Sequence, residues 1–220
     1  MGIPVMILGA SGSGKSASMR NFEPHEVGVL NVASKPLPFR KRLPVIDCAD
    51  DYRVIYGTLN ANNLASPKNA GRRSFVIDDS QYLMCFEMFR KAKETGYQKF
   101  TDCALNFYNL VQHVIKGLPP DVIVYFLHHV DVDDNGRIKA KTAGKMLDNQ
   151  LTLEGLFSIV LMAQTDGKTH KFITQSDGLT TCKSPMEMFP AEIDNDLKYV
   201  DQTIREYYGF TGGENNENNQ

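Results

Sequence analysis

The stretch "VMILGASGSGKSASM", Val5 to Met19, runs a short apolar segment straight into a loop of glycine and serine that ends in Lys15-Ser16. Its core, "GASGSGKS" from Gly9 to Ser16, satisfies G-x-x-x-x-G-K-[ST] at every fixed position. A loop of this composition wraps with its N–H groups pointing inward. It needs a core strand before it and a helix N-terminus after it to hold them there. The amides of Gly9, Ala10, Ser11, Gly12, Ser13, Gly14, Lys15, Ser16 and Ala17 then form a cradle for a nucleoside triphosphate. Lys15 reaches the β/γ-phosphates and the Ser16 hydroxyl is placed to ligate Mg²⁺. A merely flexible glycine turn would have no use for Lys-Ser after its last glycine.

The rest of the chain fits that demand. Short, β-branched apolar runs bounded by turn residues predict strands at Ile3–Leu8, Val27–Val32, Phe75–Ile77, Val122–Leu127 and Ser158–Met162. Segments of helical length lie between them, at Gly14–Phe22, Gln81–Thr95, Thr101–Lys116 and Lys145–Leu156. A last helix is expected at Ala191–Tyr208, ending before Gly209. Strands alternating with helices predict an α/β fold with a mainly parallel sheet covered on both faces. "DDNG" (Asp133 to Gly136) and "TDGK" (Thr165 to Lys168) predict antiparallel hairpins on the C-terminal side. One domain, residues 1–209, is expected, with residues 210–220 a disordered acidic, Asn-rich tail.

Composition excludes little. With 24 basic and 26 acidic side chains the net charge is −2, so no strong global field steers a partner. The four cysteines form no CxxC pair, and Cys85 and Cys103 sit in helical apolar patterns, which suits a reduced, cytoplasmic protein. No apolar run reaches the ~18 residues that span a bilayer, and no membrane partner is expected.

An acid at the end of a core strand completes a triphosphate site, and "RSFVIDDSQYL" supplies it. Asp78 is the metal-side candidate beside Ser16. Asp79 either orients the attacking water or caps the helix that begins near Gln81. The chain lacks Asn-Lys-x-Asp and an arginine-rich lid, which weighs against a GTPase and a nucleotide kinase.

From this loop, the Asp78-Asp79 strand end, the helix–loop–helix that follows, and the strand "VIVYFL" ending in His128-His129, the chain resembles RecA-like ATPases over nearly its whole length. In particular it resembles the small phage RecA-like ATP-binding proteins of the Sak group, implicated in single-strand annealing and recombination. The resemblance implies a RecA-like P-loop NTPase core using ATP and Mg²⁺. It also implies self-association into a ring or filament on single-stranded DNA, a possible phage or host single-strand-binding protein as partner, and the bacterial host cytoplasm as location. Carried over, His128 or His129 is the γ-phosphate sensor, with His129 catalytic alongside Lys15 and Asp79, and His128 at the nucleotide. Lys183, in "TTCKSPMEMFP", matches a lysine that acts in trans on a neighbour's nucleotide. The two loops after the acidic strand and the histidine strand imply DNA contacts from Tyr97, Lys99 and Phe100 and from Arg137, Lys139, Lys141 and Lys145. Two departures stand out: "LNVASKPLPF" carries Ser34 and Lys35 where RecA has a catalytic Glu, and Pro185 replaces the second trans lysine. Alternatives are a nucleotide-dependent assembly module that touches no DNA and a small P-loop kinase. An EF-hand reading of "DVDDNGRIKAKT" fails because Thr142 stands where a bidentate Glu is needed.

Overall fold

The computed structural model describes residues 1–66, 71–142 and 152–210. It is an α/β protein built on one nine-stranded sheet. The strands are β1 (Ile3–Gly9), β2 (Val27–Asn31), β3 (Val45–Asp47), β4 (Ser74–Asp78), β5 (Ile123–Val132), β6 (Ile138–Ala140), β7 (Ile159–Thr165), β8 (His170–Ile173) and β9 (Glu192–Asp194). Their spatial order is β3-β2-β4-β5-β1-β7-β8-β9, with β6 paired to β5 off that path. From β3 to β7 all neighbours are parallel, while β6, β8 and β9 add antiparallel pairs.

The central strands are apolar throughout because both faces are covered. Alternate residues of β1 go to opposite layers: Met6 and Leu8 join one core cluster, Val5 and Ile7 the other. The first layer contains α1 (Tyr52–Thr58), α2 (Ala61–Leu64), α3 (Gln81–Arg90) and α4 (Gln98–Gly117). In α4 the buried residues Cys103, Phe107, Leu110, Val111 and Val114 recur at helical spacing and form its core stripe. The second layer is thinner. It holds a 3-10 turn at Ser16–Asn21 and the last helix, α5 (Leu197–Tyr207).

The five expected strands are present within a residue or two, except that β5 runs five residues and β7 three residues past the expected end, and both turn dipeptides make hairpins, with Gly136 at φ 77° and Gly167 at φ 90°. Gly209 (φ 71°) closes α5 in a Schellman arrangement: its amide donates to Glu206 O (3.1 Å) and that of Phe210 to Arg205 O (2.8 Å).

Three expectations need correction. The segment after the phosphate-type loop is a 3-10 turn rather than a helix over Gly14–Phe22, since Ser18 Oγ bonds back to Lys15 O (2.6 Å) and Pro24 follows closely. Ala191–Tyr208 is not all helix: residues Glu192–Asp194 pair with β8, and Asp196 then caps α5 by accepting from Lys198 N (3.0 Å). Helix α3 stops at Arg90, and α4 begins at Gln98, so Lys99 and Phe100 stand on a helix and not in a loop. Most of the helix expected at Lys145–Leu156 lies outside the described residues, as do residues 211–220 of the expected tail; Leu153–Leu156 is a 3-10 turn.

Candidate functional site

The register of the parallel strands gathers the sequence's chemistry at one edge. Gly9 lies opposite His129 and Asn31 opposite Asp78, so the carboxyl ends of β1, β5, β4 and β2 are level. The chain leaves β1 toward β2 on one side and returns from β5 to β7 on the other. Crevices at such reversals are where open α/β sheets take their ligands.

The glycine loop occupies this edge. A Cβ at Gly9 would collide with Ser13 Oγ, and one at Gly14 (φ 97°) would lie 2.8 Å from His170 Nδ1, so neither position accepts another residue. Among the described residues, the amides of Gly12, Gly14 and Lys15 have no backbone or side-chain acceptor. The buried Ser13 hydroxyl is also without a partner. Lys15 is folded against the loop, its Nζ donating to Gly9 O (2.7 Å) and Ala10 O (2.9 Å). Burial pushes its ammonium down to about 8, against the pull of Asp79 and Asp78.

Ser16 Oγ donates to Asp78 Oδ1 at 2.8 Å. Burial raises the Asp78 carboxyl above its ordinary range, the Ser16 bond opposing it. Asp79 has a left-handed backbone, φ 59°, a costly conformation for a side-chain-bearing residue. That twist turns its carboxylate into the cavity and away from α3, whose N-cap position is Ser80 with no side-chain capping bond. Asp79 is ion-paired with Lys35 and accepts from His129 Nε2 at 3.1 Å. Burial would raise its carboxyl, but the bonds from His129 and Lys35 prevail and hold it at about 2.

The two histidines part company. His129 faces the cavity, its ring edge-on to Tyr82 at 5.7 Å. His128 is fully buried on the opposite face of the strand. Its Nε2 lies 2.8 Å from Lys141 O; a carbonyl only accepts, so Nε2 carries the proton and Nδ1 accepts from Ser80 Oγ at 2.9 Å. With both nitrogens engaged, and its pKa lowered to about 4 by burial, His128 is a neutral strut between Ser80 and the base of the β5–β6 hairpin. The expectation of a direct nucleotide contact from His128 does not match this placement.

The cavity enclosed by these groups measures about 320 Å³ and is also walled by Lys35, Pro38 and His170. Asn195, 1% exposed, stands behind it with both carboxamide atoms unpartnered among the described residues; its Oδ1 is 3.2 Å from where a Gly14 Cβ would be. His170, Asn195 and Pro38 carry no motif and were missed in sequence. His170 arrives through the β7–β8 hairpin, Asn195 through β9.

The other candidate residues lie elsewhere. Tyr97 is 87% exposed, with the Phe100 ring 6.5 Å away. Lys99 donates to Glu94 O at 2.8 Å and sits 5.5 Å from the Phe100 centroid. Arg137 and Lys141 are exposed on the hairpin and Lys139 is half-buried, while Lys145 lies outside the described residues. Lys183 pairs by its backbone with Val160, which lies opposite Met6 of β1, and is not among the residues lining the cavity. Among the described residues no helix is long and apolar enough to cross a membrane. Set beside known proteins, the chain matches no family model and no curated protein.

Proposed function

We propose that this chain is a Mg²⁺-dependent ATP-binding protein and ATPase with a RecA-like P-loop core, acting on single-stranded DNA in recombination or strand annealing. The observation that carries the nucleotide reading is the Ser16–Asp78 hydrogen bond beside the buried Lys15, at the mouth of a loop whose Gly12, Gly14 and Lys15 amides meet no acceptor among the described residues. A hydroxyl and a carboxylate are hard oxygen donors that suit Mg²⁺, which keeps several waters and takes its remaining oxygens from phosphate. When bound, the ion neutralises charge developing on the phosphates.

The protein's own groups supply the rest. Loop amides and Lys15 hold the phosphate tail, and Asp79 and His129 line the cavity where a water would stand. Hydrolysis forms a bond from that water's oxygen to the γ-phosphorus as the bond to the β,γ-bridging oxygen breaks. The water's proton passes to Asp79, and ADP and phosphate leave. The DNA reading rests on Arg137, Lys139 and Lys141 on the hairpin, which His128 ties to Ser80 beside the acidic pair. Self-association with Lys183 acting in trans belongs to the same reading.

One observation favours a second reading, an assembly module that binds nucleotide without fast turnover: Asp79 is already engaged by Lys35 and His129. Calorimetric titration with Mg²⁺-ATP, followed by ATP turnover with and without single-stranded DNA, separates them. DNA-stimulated turnover supports the first, binding with no turnover supports the second, and no Mg²⁺-dependent uptake removes both.

A further inference from the structure

Lys35 stands at the carboxyl end of β2, on the wall of the cavity facing the glycine loop. Its backbone is fixed while its side chain is not. Asn31, 4% exposed at the end of β2, donates from Nδ2 to Lys35 O (2.7 Å) and to Asp47 Oδ1 (3.2 Å), and its Oδ1 accepts from Lys35 N (3.3 Å). Ser34, at φ 52°, is clasped in turn by Cys48, whose amide donates to Ser34 Oγ (2.8 Å). The lysine's anchor point is therefore held from two sides. The side chain itself is 59% exposed; it is paired with Asp79 and its Nζ lies 5.4 Å from the centre of the Tyr82 ring.

The Lys35 end of this pair lies open to water while the Asp79 side chain is 9% exposed, so solvent screens the pair from one side only, and Asp79 keeps the His129 contact when the lysine leaves. A terminal phosphate offers about two negative charges and three acceptor oxygens. Exchanging the carboxylate for such a group trades one charge-assisted contact for a more highly charged one.

From this arrangement we propose that Lys35 is the residue that distinguishes a nucleoside triphosphate from a diphosphate, leaving Asp79 to bind the γ-phosphate across the cavity from Lys15. The inference rests on the nucleotide reading given above and adds the group that senses the third phosphate. Lys15 and the loop amides reach the β-phosphate that both nucleotides share. Lys35 enters the same cavity from beyond β2, beside Asp79, as a second lysine for a phosphate past the one both nucleotides share. Its departure frees an oxygen of Asp79 at the phosphate end of the cavity, so loading with triphosphate also uncovers the carboxylate.

The test is calorimetric titration of the full chain, in wild-type form and as Lys35→Gln and Lys35→Arg, with Mg²⁺ plus ADP or plus a non-hydrolysable ATP analogue. Circular dichroism melts check folding, which an exposed side chain should not disturb. Lys35→Gln is expected to weaken the analogue about 10-fold or more while changing ADP less than about 2-fold, since one charge-assisted hydrogen bond is lost. Lys35→Arg should keep most of the preference. Equal weakening of both ligands, or of neither, overturns the assignment of Lys35 while leaving the nucleotide site standing. Failure of the wild-type chain to bind either nucleotide removes the nucleotide reading and this inference with it.

Discussion

Ser16 and Asp78, 62 positions apart in the chain, meet through a hydrogen bond of 2.8 Å from the hydroxyl to the carboxylate. The contact joins the end of the glycine loop to the end of β4, across the strand that carries the histidines. If this pair is the cation's foothold, Asp78→Asn keeps the hydrogen bond and removes the charge. Nucleotide affinity in Mg²⁺ should fall about 10- to 100-fold, the range typical when a group supporting a metal is lost. Affinity in EDTA should stay as it is in the wild type. Calorimetry in the two buffers reads the difference, and an equal loss in both would show that Asp78 serves the loop's shape alone.

His128 sets a pH dependence of folding. Its pKa is lowered from 6.5 to about 4 in the folded chain, so between those values the unfolded chain binds a proton that the folded chain does not. Stability from this group is complete above pH 6.5 and is lost as pH falls toward 4, by about 3 kcal/mol at most. Urea midpoints measured from pH 7 to pH 4 should fall less steeply in His128→Gln than in the wild type. A parallel fall in the two would place the titrating group elsewhere.

Asp201 ties α5 to the sheet far from the cavity. It accepts from Ser74 Oγ (2.6 Å), Tyr125 OH (3.0 Å) and Arg205 Nε (2.7 Å), and it is 6% exposed. Asp201→Ala leaves a half-buried guanidinium edge and two hydroxyls, one of them on the fully buried Tyr125, without their acceptor and should cost about 2–4 kcal/mol. Denaturant titration checks the loss. Nucleotide affinity of the folded fraction should be unchanged, and a matching loss of affinity would contradict the separation of this cluster from the site.

The hairpin cations are tested by salt. If Arg137 and Lys141 each neutralise one phosphate of single-stranded DNA, Arg137→Ala with Lys141→Ala should flatten the plot of log affinity against log salt by about 0.7 per contact removed. Fluorescence anisotropy with a labelled oligonucleotide measures the slope. An unaltered slope would take the hairpin out of any DNA contact.

The sequence disclosed whatever is written locally. The loop, the five central strands and the two tight turns are each fixed by a few adjacent residues, whose spacing and conformational needs are visible without the fold. The 3-10 turn at Ser16–Asn21 escaped because Ser18 diverts a hydrogen bond that a helix would use, a competition that apolar spacing does not register. Asn195 and His170 escaped for a different reason: antiparallel pairing brings them to the loop from 181 and 156 residues beyond Gly14 (195 − 14 and 170 − 14). Lys35 left a usable signal, since it follows the end of a parallel strand at the edge where such sheets take ligands. The histidine pair shows the opposite limit. Adjacent in sequence, His128 and His129 point to opposite faces, and only the strand's exact extent decides which of them sees the cavity.

Arg20 Nη1 donates to Asn195 O at 2.7 Å and Asn21 Nδ2 to Asp196 Oδ2 at 2.7 Å, so the turn after the glycine loop is riveted to the threshold of α5. The amino-terminal quarter of the polypeptide thus has its foundation in the carboxyl-terminal one. A shortened expression product ending before β9 would leave Met19 and Phe22 facing water and the loop unsupported, whereas a fusion partner appended behind the last helix loads nothing that the loop stands on.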